Sequence, residues 1–183
     1  MLVSKYKKLG IALGLVLLVA FFINRHLKDD NEEIGKALKE FDQTIEVKHI
    51  EYLNPKEAIA FYEEERGSAY FGQALMKKRL LGGWIFNGGS AFELVPAIDF
   101  GLSFSNLEYD SSTHTDLLFG IIAHIDIDKI KVETESGNTY DAEVIEYDAG
   151  KRFWFLLTDG DNTVGSMVTG LSAEGEIIEQ KGI

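Results

Sequence analysis

Several groups of residues in this 183-residue chain have the types and spacing that chemistry uses. His124, Asp126 and Asp128 alternate, so on an extended strand they share one face, with about 6.5–7 Å between successive side chains. An imidazole with carboxylates is a donor set for a divalent metal. The same residues also read as a turn, Ile125-Asp126-Ile127-Asp128-Lys129, leading into a strand from Ile130 with its charges in water. Thr113-His114-Thr115-Asp116 holds an imidazole close to a carboxylate, with Ser111 and Ser112 nearby. These are the ingredients of an activated hydroxyl nucleophile, provided that the fold brings them together. A polar stretch of this composition, Tyr109 to Asp116, is otherwise simply a loop.

Asp159-Gly160-Asp161-Asn162-Thr163 begins like a calcium loop. Such a loop requires Gly at its sixth position and a bidentate Glu at its twelfth, and those positions hold Val164 and Gly170. A β-turn is the better account. Trp84, Phe153, Trp154 and Phe155 would make a peptide or glycan platform on an exposed sheet. In a layered β domain they are core and cross-strand pairs, which is the expectation. Nothing resembles a phosphate-binding loop, a zinc site or a nucleophile elbow. No catalytic, cofactor-binding or metal residue is therefore assigned, and no cofactor is expected.

Positioning falls to a chain that changes period along its length. Leu9 to Ile23 is fifteen residues without a charge, preceded by Lys5, Lys7 and Lys8 and followed by Arg25, His26 and Lys28. A helix over this run covers roughly 23 Å of a hydrocarbon layer near 30 Å, and snorkelling flanks make up the difference. No convincing pair of small residues marks a cleavage site, so an uncleaved signal anchor over 1–28 is expected, N-terminus cytoplasmic. Asp29 to Phe41 has the i, i+4, i+7 stripe of Ile34, Leu38 and Phe41, with acidic residues in its first turn. It reads as a helical stalk over 29–42 or, alternatively, as a helix covering one face of a sheet.

From 43 to 183 the pattern turns to strands. Ile98, Phe100, Leu102 and Phe104 alternate with polar residues and Gly. Thr139 to Tyr147 and Arg152 to Leu157 flank the turn Asp148-Ala149-Gly150-Lys151; Met167 to Leu171 and Glu176 to Glu179 flank Ala173-Glu174-Gly175. Ile130 to Thr134 joins the first pair through Ser136-Gly137-Asn138. Short turns between sequential strands make antiparallel meanders. Asn54-Pro55-Lys56-Glu57 has the form of a helix start, yet Ile59 and Phe61 alternate with Ala58, Ala60 and Tyr62; a hairpin is the preferred reading. The expected fold is all-β, a sandwich or curved meander of about eight to ten antiparallel strands.

Three of the 18 basic residues precede the apolar run, leaving 15 against 30 acidic ones. That balance sets aside nucleic acid and anionic lipid head groups as partners of the folded part. There is no cysteine, hence neither disulfide nor lipidated Cys, and export without either is commonplace in Gram-positive bacteria.

The series Glu57-Ala58-Ile59-Ala60-Phe61-Tyr62, Ala74 to Lys78, Gly83-Trp84, Phe119-Gly120, Phe153-Trp154-Phe155 and Gly170-Leu171-Ser172 with Gly175 resembles small exported, membrane-anchored proteins of Bacillus and relatives. That resemblance implies a compartment and a β-rich fold, and brings no catalytic residues. The expected function is a non-enzymatic extracytoplasmic module that binds a protein or envelope component. A cell-envelope hydrolase using His114, Asp116 or His124 is the alternative, and a structural or chaperone-like subunit of a membrane complex is a third.

Overall fold

The computed structural model of the chain describes residues 29–65, 69–80, 82–94, 103–106 and 116–183. The apolar run Leu9 to Ile23 lies outside them, as do Ser111, Ser112, His114 and most of the alternating stretch from Ile98, whose end forms a strand over Ser103–Asn106. Among the described residues no helix is long and apolar enough to cross a membrane.

Among the described residues the domain is all-β apart from one short helix, α1 (Asp30–Phe41). Sheet A is a meander of β1 (Ile45–Asn54), β2 (Glu57–Glu65), β3 (Ala69–Lys78) and β4 (Trp84–Glu93). Sheet B runs β5 (Ser103–Asn106), β6 (Asp116–Ile122), β10 (Lys151–Thr158), β9 (Glu143–Tyr147). Sheet C runs β12 (Ile177–Gly182), β11 (Met167–Leu171), β7 (Lys129–Glu133), β8 (Thr139–Asp141). All pairings are antiparallel. Short turns account for those between successive strands, whereas β6–β10 and β7–β11 pair strands far apart in the chain, so sheets B and C are not the simple meanders expected. The described strands number twelve, more than the eight to ten expected.

The sheets stack, and burial follows the stack. Ile59, Phe61, Phe71 and Leu75 of sheet A meet Leu117, Phe119, Phe153 and Phe155 of sheet B. The other face of sheet B puts Leu118, Trp154 and Leu156 against Ile127, Ile130, Val132 and Val168 on the sheet C side. A strand covered on both faces has no polar face to show, so β2, β3, β6 and β10 carry continuous buried runs. In sheet C, β7 alternates exposed and buried residues because only one of its faces is covered.

The far face of sheet A is covered by α1. Ile34 and Leu38 are fully buried against Ala58, Ala60, Ala74, Met76 and Trp84. The expectation of a free-standing stalk is corrected: the helix belongs to the folded body, because its apolar stripe has a sheet face to cover. The Asp29 side chain accepts a bond from the Asn31 N–H at 3.0 Å and caps the helix. One residue on, Asp30 receives Lys78 Nζ on both oxygens at 2.7 Å and Trp84 Nε1 at 3.1 Å, clamping the first turn to the sheet.

The segment Asn54 to Glu57 is the β1–β2 turn. The Lys56 N–H donates to Asn54 Oδ1 at 2.9 Å, and Asn54 Nδ2 donates to Glu57 at 2.7 Å. Asn and Pro serve tight turns for the same local reasons that they serve helix starts.

Candidate functional site

Of the residues with chemical promise in the sequence, most are spent on structure. His124, Asp126 and Asp128 occupy the turn after β6, with both carboxylates exposed. His124 Nδ1 accepts the Asp126 N–H at 3.3 Å. Arg152 ties the turn down by donating to the carbonyls of Ile127 at 2.5 Å and His124 at 2.8 Å. Asp116 opens β6, buried, and accepts both the Thr163 N–H at 3.1 Å and its hydroxyl at 3.3 Å. Asp161 receives Asn138 Nδ2 at 2.9 Å, the Tyr140 hydroxyl at 2.7 Å and the Ser136 hydroxyl at 3.2 Å. These bonds, from Asn138 and Tyr140 foremost, hold its carboxyl below the usual range. Asp159 to Thr163 thus locks a loop onto the β7–β8 hairpin. Among the described residues no three His, Asp or Glu side chains are grouped to hold a metal. Trp84, Phe153, Trp154 and Phe155 are all buried in the core, as expected.

The arrangement with most to offer lies at the rim between sheets A and B. A cleft of about 540 Å³ is walled by Leu94, Ile121, Ile122 and Ala123, with Tyr147 and Lys151 beside it. Glu63, at the end of β2, reaches across to sheet B. Its carboxylate receives the Tyr147 hydroxyl at 2.9 Å and Lys151 Nζ at 2.9 and 3.0 Å. Lys48 of β1 lies 3.6 Å from the same carboxylate and 3.0 Å from Glu46, and also bonds Asp148. The Lys48 side chain is only 4% exposed.

Electrostatics here follow from crowding. Burial pushes the Tyr147 hydroxyl well above the usual phenol range, and the bond to Glu63 and the charges of Glu63 and Asp148 act the same way. For Lys48, burial alone would lower the ammonium. Its bonds to Asp148 and Glu46, with the charges of Glu46 and Glu63, outweigh that and hold it above its ordinary value. The Asp148 carboxyl is lowered chiefly by its bond to Lys48. These shifts hold Tyr147 and Lys48 protonated and Asp148 ionised at neutral pH.

Backbone shape adds to this. Asp148, Ala149 and Gly150 form the β9–β10 turn with φ of 28°, 52° and 92°. Asp and Gly tolerate the left-handed region, whereas at Ala149 it costs roughly 1 kcal/mol. The Asp148–Lys48 bond across the sheets helps to hold this turn in place.

No protein-family model matches the chain, and no match is found among curated proteins or solved structures.

Sequence reasoning missed Lys48, Glu63, Tyr147 and Lys151, which come from strands far apart in the chain, 88 residues for the Glu63–Lys151 pair and 100 for the Lys48–Asp148 pair. It also missed His49, whose ring sits 5.9–6.1 Å from those of Phe61, Phe153 and Phe155, with Nε2 3.5 Å from Glu51. No spacing along the chain marks any of them.

Proposed function

We propose that this protein is a non-enzymatic binding module, held outside a cytoplasmic membrane by Leu9 to Ile23, whose contact site is the cleft between sheets A and B. One observation carries the reading. Beside the cleft Glu63 binds Tyr147 and Lys151, and Arg152 is held by backbone carbonyls, so the polar groups are fixed in place and the site offers set shape and apolar walls to a partner. Binding surfaces need such pre-ordered contacts, while general acids, bases and nucleophiles need a group whose proton is in play. The anchor, the Gram-positive envelope and the cytoplasmic N-terminus rest on the apolar run, its cationic flanks and the absence of Cys in the sequence. A protein or envelope component is the expected partner, captured at the effective concentration that tethering provides.

The test is complementation of a deletion strain together with crosslinked pull-down from its membranes. Ala123 is exposed at the cleft wall, so Ala123→Trp fills the cleft without disturbing the core. The expected result is loss of the crosslinked partner and of complementation with Ala123→Trp, and retention of both with His114→Ala and His124→Ala. The reverse pattern, with folded variants, would establish the hydrolase alternative.

A further inference from the structure

The end of the domain that meets the chain's N-terminal segment carries an unusual surface. Glu57 of β2 pairs with Lys77 of β3, so the β1–β2 and β3–β4 turns lie at the same end of sheet A. The Lys78 N–H donates to the Lys56 carbonyl at 2.7 Å and joins the two turns. The β3–β4 turn is closed by its own backbone: Arg79 N–H to Gly83 at 2.9 Å and Gly82 N–H to Arg79 at 3.1 Å. Leu80 at its tip is 88% exposed, the most exposed large hydrophobic residue among those described. Arg79 beside it and Lys56 on the neighbouring turn are exposed too.

The Asp30 clamp fixes where this end must be. Its bonds to Lys78 and Trp84 hold the start of α1 against the β3–β4 turn, and Tyr52, near the β1–β2 turn, donates to Asn31 at 2.6 Å. Only Asn24 to Lys28 separate the apolar run from Asp29. Six Cα steps span at most about 20 Å. A body of this length has a radius of gyration of about 15 Å, so it is roughly 40 Å across. The opposite end of the domain is beyond that reach, and the turn end is within it.

We infer that the β3–β4 turn is a second membrane contact, with Leu80 entering the head-group region of the bilayer that the apolar run spans and Arg79 and Lys56 flanking it at the lipid surface. This rests on the anchor reading above. Charge does not drive it: Lys77 and Lys78 are matched by Glu57 and Asp30, and Asp29, Glu32 and Glu33 at the start of the helix offset the cations that remain. An exposed leucine rimmed by long cationic side chains suits a water–lipid boundary without requiring anionic lipid. The domain is thereby held in one orientation, with sheet A's turn end down.

Because the chain has no Cys, a single introduced one is unique. The full chain carrying Leu80→Cys, or Ile125→Cys as the control, is labelled with a fluorophore and reconstituted into neutral phosphatidylcholine vesicles containing head-group nitroxide lipid. Ile125 is 85% exposed and lies in the turn between sheets B and C, away from α1. The expected result is quenching at least twofold stronger at position 80 than at 125. Equal, weak quenching at both positions in protein that floats with the vesicles overturns the lipid contact and leaves the anchor standing. Failure of the full chain to float overturns the anchor, and this inference with it.

Discussion

Sheet A solves two packing problems, one on each face. Toward α1 it presents small residues, Ala58, Ala60 and Ala74, joined by Met76 and Trp84. Toward sheet B it presents Ile59, Phe61, Phe71 and Leu75. The period of two along β2 is therefore real, but it alternates small with large rather than polar with apolar. Tyr62 makes the point locally: it lies across Gly72 of β3, where an added Cβ would sit 2.7 Å from its ring. A helix of twelve residues seated on a small-residue face buries only Ile34 and Leu38 fully. The sheet-on-sheet face interlocks seven aromatic rings, from Phe61 and Phe71 through Phe92, Phe119, Tyr147 and Phe153 to Phe155. The sheet-on-sheet face is thus held mainly by area, with polar bonds at its rim, and the smaller helix face depends more heavily on its polar clamp.

The largest break in this comparison is Phe61→Ala. Phe61 is fully buried, with Phe153 and Phe155 at 4.8 and 5.0 Å between ring centroids. Truncation should cost roughly 3–5 kcal/mol through lost burial and the cavity left behind. Denaturant titration of residues 29–183 measures it. A loss under about 1 kcal/mol would show that the two sheets do not share a tightly packed core.

A smaller break on the opposite face is Asp30→Ala. Desolvation raises the Asp30 carboxyl, but the bonds from Lys78 and Trp84 and the charge of Lys78 outweigh it, and the group sits below its usual value. Its side chain is 35% exposed, so solvent screening keeps the loss to about 1–2 kcal/mol. The sign follows from the depressed value. The contribution is complete above the ordinary carboxylate value of about 4 and disappears as pH falls through the lower folded-state value. Hydrogen exchange should show α1 amides opening faster in the variant while sheet B and sheet C amides stay protected. Uniform acceleration everywhere would mean that α1 is not a separately held layer.

How much of this was legible in the sequence depends on how many faces each strand has in water. The β9–β10 and β11–β12 hairpins could be placed because short turns such as Asp148-Ala149-Gly150 separate their strands. Thr139 to Tyr147, expected as one strand, instead breaks at Ala142 into β8 of sheet C and β9 of sheet B. In sheet A the signal blurs, since both faces are covered and Asn54-Pro55 suits two local structures equally well. The stripe of Ile34, Leu38 and Phe41 says that α1 has an apolar side and nothing about what covers it; Phe41, though stacked on Phe86 at 4.6 Å, remains 61% exposed. Glu63, Tyr147 and Lys48 were invisible because they meet only when sheets A and B stack. Local motifs announce themselves by spacing, whereas a rim between layers has no spacing to read.

The smallest expected effect sharpens the comparison where the two sheets are stitched at that rim. Ala149 holds φ of 52° in the turn beside Asp148. Relief of its left-handed strain by Ala149→Gly is partly offset by the greater freedom of glycine in the unfolded chain. The net gain should be at most about 0.5 kcal/mol, read as a rise of about one or two degrees in Tm. If Lys48 and Asp148 hold the turn in its left-handed form, Lys48→Met should lower stability more in the wild-type chain than in the Ala149→Gly background, because glycine adopts the turn unaided. Equal effects in both backgrounds would separate the ionic stitch from the strain, and leave the turn's conformation to the β9–β10 hairpin alone.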